Sequence, residues 1–195
     1  MPRYQQIDNK IVPYYKKTAF STWVLATGQS SYTPFNNVEA TTLRNYNKGQ
    51  NIFEMNRGRV LALSAELLDD DYATPVWTVA LATAWESIRN KGVILVSQDG
   101  TTSDNVTLKE ISTPAPLIVG VAAIANFDSG SPLKASSSKR ACYYEPPLIV
   151  DTGRSLDFAI TLIGVTVPSA LNGYNIRFDL VTEELPVPSD QEVRQ

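Results

Sequence analysis

The 195-residue chain has no histidine and a single cysteine, Cys142. Histidine is the usual proton shuttle near neutral pH and the commonest metal ligand. Its absence excludes Ser-His-Asp and Cys-His catalysis, HExxH zinc sites and carboxylate–histidine relays. One thiol forms neither an internal disulfide nor a four-cysteine zinc site. There is no GxGxxG and no Walker-type loop. Long apolar runs are missing too. Leu117 to Ala125, the longest, is interrupted by Gly120 and falls far short of the roughly 20 residues a membrane span needs. The opening MPRYQQIDNKIVPYYKK lacks the apolar stretch of a secretory signal. Carboxylates, lysines, tyrosines and hydroxyls are left for catalysis. The expectation is therefore a binding or structural protein rather than an enzyme, made in a cytoplasm, with no cofactor, no transmembrane segment and a reduced Cys142. Asn105-Val106-Thr107 matches a glycosylation sequon, which without a secretion signal is read as chance.

Hydrophobic residues make up 43% of the chain, enough to build a core and to exclude disorder over its whole length. The net charge of −3 argues against a surface that binds nucleic acid throughout. The charge is uneven, however. Arg3, Lys10, Lys16 and Lys17 face Asp8 alone in the first twenty residues, whereas Glu183, Glu184, Asp190 and Glu192 face Arg194 in the last fifteen. A basic start and an acidic end suit two solvated tails. The alternative is an arm laid against an anionic surface, nucleic acid or lipid headgroups.

Residues 1–50 differ from the rest of the chain. They are rich in Tyr, Asn, Gln, Thr and Ser, with weak apolar periodicity except around Phe20 to Leu25. They read as an extended N-terminal arm ordered by packing on something else. From Ile52 the pattern becomes that of strands. Val60 to Leu67 ends at Asp69-Asp70-Asp71; Val93 to Val96 ends at the Asp99-Gly100 turn; residues 156, 158, 160 and 162 are all apolar, and Tyr174 to Leu180 alternates again. Residues 76–85 are ambiguous, since the alanines favour helix while Thr, Val and Trp favour strand. Pro75 before and Asn90-Lys91-Gly92 after favour a strand and a hairpin turn. Val106 to Ile111 reads as a strand or one helical turn. Glu145-Pro146-Pro147 interrupts a strand running from Ala141 to Val150, and residues 128–138 form a loop. Many short strands with Gly and Pro punctuation indicate an all-β antiparallel sandwich or barrel. The domain spans residues 51–185, and residues 186–195 form an acidic tail.

Few residues carry candidate chemistry. Asp69, Asp70 and Asp71 are the metal candidates, three adjacent carboxylates that would hold calcium with backbone carbonyls. No EF-hand spacing surrounds them, and an acidic turn between strands is the plainer reading. Glu54, Glu66, Glu86, Glu110 and Glu145 lie in the strand region, but no spacing pairs two of them across a cleft as glycoside hydrolysis requires. Trp23, Trp77 and Trp85 would suit either a sugar-stacking platform or a core, and Trp77 and Trp85 are read as shared core. Arg57-Gly58-Arg59 and Lys139-Arg140 are short basic clusters without the aromatic interleaving of an RNA-binding sheet.

The layout of polar, tyrosine-rich basic arm, β domain and short acidic tail resembles the single jelly-roll coat proteins of icosahedral viruses, bacteriophages included. The likeness is one of organisation over residues 52–185. It is best from Pro146-Pro147-Leu148-Ile149-Val150 through the alternating strands to Leu180, which look like the late paired strands of a jelly roll. It implies an all-β fold, an antiparallel β-sandwich in the form of a single jelly roll. It also implies a capsid subunit of the virion, assembled in the host cytoplasm. Its partners would be other copies of itself and other virion proteins, with Arg3, Lys10, Lys16 and Lys17 on an arm that serves assembly or meets nucleic acid or lipid. A rigid sandwich with arms that tie neighbours together needs little chemistry. A carbohydrate- or receptor-binding β-sandwich, lectin-like or at a fibre tip, is the second reading. A glycan-cleaving enzyme is the third.

Overall fold

A computed structural model of the chain describes residues 3–7, 10–36, 41–45, 58–115, 140–150 and 155–184. Nine strands form two antiparallel sheets. They are β1 (Arg3–Ile7), β2 (Lys10–Val24), β3 (Ser31–Tyr32), β4 (Gly58–Leu68), β5 (Gly92–Gln98), β6 (Thr101–Thr107), β7 (Ala141–Val150), β8 (Leu156–Leu162) and β9 (Asn175–Glu184). One sheet runs β1-β2-β9-β4-β7 and the other β3-β8-β5-β6. Setting β1 aside leaves two four-stranded sheets, with the chain crossing between them at nearly every connection. That is an eight-stranded jelly roll, as the all-β sandwich expectation required.

The core lies between the sheets. Strand alternation aims Ile176, Phe178 and Leu180 of β9, Leu63, Ala65 and Leu67 of β4 and Ala19 and Trp23 of β2 inward. They meet Phe158, Ile160 and Leu162 of β8 and Ile94 and Val96 of β5. Each large side chain buried this way contributes about 1.5–3 kcal/mol. Trp23 stacks on Tyr32 with ring centroids 5.4 Å apart and planes 6° from parallel. The Trp23 indole N–H donates to Gln29 Oε1 at 2.9 Å.

Two expectations need correction. Residues 1–50 are not an arm outside the domain. Tyr15 to Val24 pair along their whole length with β9, β3 pairs with β8, and Trp23, Leu25 and Phe35 are core residues. Polar side chains misled the reading, because β2 needs only alternate residues apolar and uses Ala19, Ser21 and Trp23. The boundary at residue 51 therefore does not divide arm from sandwich. Residues 51–57 and the tail 186–195 lie outside the described residues, as do the 128–138 loop, Leu117 to Ala125, Glu54, Arg57 and Lys139.

The second correction concerns residues 76–85. Val79–Lys91 is a helix, α1, capped by Thr78, whose side chain accepts from the Leu81 N–H at 3.1 Å. Leu81, Ala84, Trp85 and Ile88 are buried at helical spacing, a period that continues past the end of the window read as strand. Asn90-Lys91-Gly92 makes no hairpin; α1 runs straight into β5, and the Gly92 N–H donates to the Ile88 carbonyl. Trp85 is nevertheless fully buried and Trp77 packs against the core, so the shared-core reading of the two tryptophans holds.

A second, four-residue helix, α2 (Leu108–Ile111), continues directly from β6 and is closed by a Thr107–Glu110 capping box. The 3% exposed side chain of Arg89 ties α1 to α2. Its Nε donates to Ser112 Oγ at 3.0 Å and to the Ser112 carbonyl at 3.3 Å. Nη1 donates to Glu86 Oε2 at 2.6 Å and Nη2 to the Lys109 carbonyl at 3.3 Å. The Ser112 hydroxyl in turn donates to the Leu108 carbonyl. The outer edges of the five-stranded sheet are covered in different ways. Asn45 lines part of β2, donating to the Thr18 carbonyl and accepting from the Phe20 N–H. On β7 the register jumps between Tyr143 and Leu148, so Pro146 and Pro147 fall where a missing N–H disturbs least.

Candidate assembly surface

The basic residues of the N-terminal segment are split by the fold. β1 and β2 form a hairpin with Arg3 opposite Tyr14 and Ile7 opposite Lys10. β9 joins β2 only from Tyr15 onward. Residues 3–7 and 10–14 are therefore a two-stranded ribbon with no third strand among the described residues, reaching about 17 Å past the last β2–β9 pair at strand rise. Arg3 and Lys10 sit on this ribbon. Lys16 and Lys17 sit at its base, inside the sheet.

The base is an ionic cluster. The Arg59 Nε lies 2.6 Å from Glu183 Oε2, with the Glu183 side chain 2% exposed. Lys17 Nζ lies 3.9 Å from Glu184 Oε1, whose side chain is likewise almost sealed from solvent. Glu183 and Glu184 are adjacent on β9 and so point to opposite faces of the sheet, each meeting its own cation. Lys17 is thereby committed to the fold, while Lys16 is exposed. Of the four expected arm cations, Lys16 is exposed and Lys17 is held by Glu184, while Arg3 and Lys10 lie on the two strands of the ribbon.

Strand direction puts the Asp69-Asp70-Asp71 turn at the opposite end of the same sheet, where Leu68 and Val24 both lie level with Asn175. Asp69 Oδ1 accepts the N–H groups of Asp71 and Ala73 at 3.1 and 2.8 Å. Asn175 Nδ2 donates to the Asp69 carbonyl at 2.7 Å. The first carboxylate thus organises its own turn, and the other two are exposed. No cluster of three metal-ligating acids or thiols occurs among the described residues. Beside this turn are large exposed apolar side chains, Tyr72 at 50% exposure and Val76 at 84%. Sequence reading missed them because an apolar residue next to acids reads as strand or helix edge, and only the folded backbone shows it uncovered.

Several of the remaining candidates have structural explanations, while Glu145 and Arg140 are exposed. Glu86 is held by Arg89 and by the Ala115 N–H. Glu110 closes its capping box, and hydrogen bonds from the Thr107 backbone and side chain hold its carboxyl below the usual range. Burial, reinforced by the charges of Asp104 and Glu110, raises the Cys142 thiol, so it stays protonated and a weak nucleophile. Trp23 and Trp85 are buried, and the Trp85 indole N–H donates to the Thr113 carbonyl, which leaves neither for stacking a sugar. A shallow depression lined by Ser30, Leu162, Gly164, Val165 and Thr166 has no titratable side chain. On the outer face of the five-stranded sheet Arg177 lies 4.4 Å over the Phe20 ring and 3.0 Å from Asp179. No helix among the described residues is long and apolar enough to cross a membrane. Compared with protein-family models, with characterised proteins and with solved structures, the chain matches none of them.

Proposed function

We propose that this chain is a virion structural protein, a jelly-roll capsid subunit that assembles with copies of itself through its sandwich and its N-terminal ribbon. One observation carries the reading: a jelly-roll sandwich extended by a ribbon of residues 3–7 and 10–14 that has no third strand among the described residues. A two-stranded ribbon alone is marginal in water, and unpaired strand edges invite another chain. Glu86, Glu110 and Glu183 are tied into a capping box or ion pairs, and burial keeps the Cys142 thiol protonated. Surface for association and little chemistry is what a shell subunit requires.

Light scattering against concentration, on the full chain and on the chain shortened to begin at Tyr15, tests this. The full chain is expected to form large closed assemblies and the shortened one to remain a compact monomer. The cut belongs at residue 15, because removing residues 1–50 would delete β2 and β3 from the sandwich. Compact monomers from both chains at every concentration would refute the reading. The second reading, a receptor- or glycan-binding module, rests on Tyr143, 72% exposed on β7. It predicts saturable binding to a glycan array that is lost in Tyr143→Ala.

A further inference from the structure

We infer that the ribbon of one copy seats on the pole around Asp69–Val79 of a second copy, making a head-to-tail contact between identical chains. The inference rests on the self-assembly reading and names the two surfaces that meet.

The ribbon carries Tyr4, Ile7, Ile11, Val12, Pro13 and Tyr14 together with Arg3 and Lys10. Its two strands have no third strand beside them among the described residues, and a sequence that is both apolar and basic suits an apolar surface with acidic neighbours. The opposite pole offers that combination. Tyr72, Val76 and Val79 are exposed, and Val24, 45% exposed, lies level with Leu68 and Asn175 just before the acidic turn. These four are half of the eight large apolar side chains exposed among the described residues, which marks the pole as the main uncovered apolar region. Asp70 and Asp71 beside them are exposed and complement the basic ribbon in sign.

The two surfaces stand at opposite ends of one sheet. A two-fold pairing of pole with pole would set acid against acid, and like charges in contact oppose association strongly. A contact of ribbon on pole is heterologous and leads to rings where the rotation closes and to filaments where it does not.

Charge reversal provides the test. The pole variant is Asp70→Lys with Asp71→Lys, which spares Asp69 and its turn hydrogen bonds. The ribbon variant is Arg3→Glu with Lys10→Glu. Circular dichroism and a melting curve check that each folds. Analytical ultracentrifugation at low salt is expected to show that each variant alone needs at least about tenfold higher concentration to associate than the parent chain. Mixed, the two variants offer an intact ribbon to an intact pole and a reversed, acidic ribbon to a reversed, basic pole. If the parent contact is ribbon on pole, the mixture is expected to regain large assemblies by alternation of the two variants, and a chain carrying all four changes to regain them alone; a mixture that associates no better than either variant overturns the inference. If the parent assembles and the pole variant assembles equally well, the inference is overturned and the self-assembly reading stands. If the parent is monomeric at every concentration, both fall.

Discussion

Arg89 is the side chain whose removal tests the packing account most directly. Replacing it with methionine keeps length and apolar stem but deletes the guanidinium that bridges α1 and α2. The Ser112 and Lys109 carbonyls each lose a donor. An unsatisfied buried acceptor costs about 1 kcal/mol or more. The contact with Glu86 adds less, because the Glu86 side chain is 34% exposed and water and the Ala115 N–H remain to it, so about 0.5 kcal/mol is reasonable. The sum is a loss of about 2–3 kcal/mol, or a melting temperature lower by about 5–10 °C for a chain of this size. Urea unfolding of dilute monomer by tryptophan fluorescence would read it, since Trp85 lies on the same helix. Arg89→Lys should recover little, as an ammonium cannot reproduce the fork that reaches Ser112, Glu86 and Lys109 together. A cycle combining Arg89→Met with Ser112→Ala should show coupling of about 1 kcal/mol. A Met variant within about 0.5 kcal/mol of the parent would refute the claim that this cation holds the two helices in place.

At Gly92 an added Cβ would stand 2.9 Å from the Leu108 Cβ and 3.1 Å from the Ile88 carbonyl. Gly92→Ala should therefore destabilise by about 1–2 kcal/mol through overpacking, read as a lower urea midpoint with unchanged slope; a rise in midpoint would mean that α2 yields freely. The Tyr144 hydroxyl is buried with no hydrogen-bond partner among the described residues, and burial together with the charges of Cys142 and Asp104 pushes its ionisation well up. Tyr144→Phe should hold or gain up to about 1 kcal/mol in thermal unfolding, and a loss beyond that would reveal a partner for the hydroxyl.

Strands with clean alternation, β4, β5, β8 and β9, were legible because one buried face imposes period two on the sequence. β2 was not. Its inward positions include Ser21, whose hydroxyl accepts the Phe35 N–H, so a polar letter stands at a core position. α1 hid for the opposite reason. Threonine and valine at its start mimic a strand, and only Trp85 and Ile88 reveal the longer period. The surface features had no sequence signal at all. Arg59 and Glu183 are 124 residues apart, and nothing local says that they meet. The acidic turn was visible as three letters, yet its place at the far end of the sheet from the ribbon comes from register alone.

The position of β9 bears on how the molecule comes into being. It is the last described strand and lies between β2 and β4, and the Thr182 hydroxyl reaches back 165 residues to the Lys17 carbonyl. A ribosome therefore releases β2 and β4 long before the strand that joins them. Until then the larger sheet has two separate, sticky fragments and the tryptophan of β2 has no lid. Contacts of such separation make folding slow, and open strand edges in the interval are the ones that neighbouring nascent chains capture. Closure of the larger sheet thus waits for β9, and any assembly built on this sheet has to wait for it as well. The order of the chain sets the order of construction: first a finished subunit, then a shared surface.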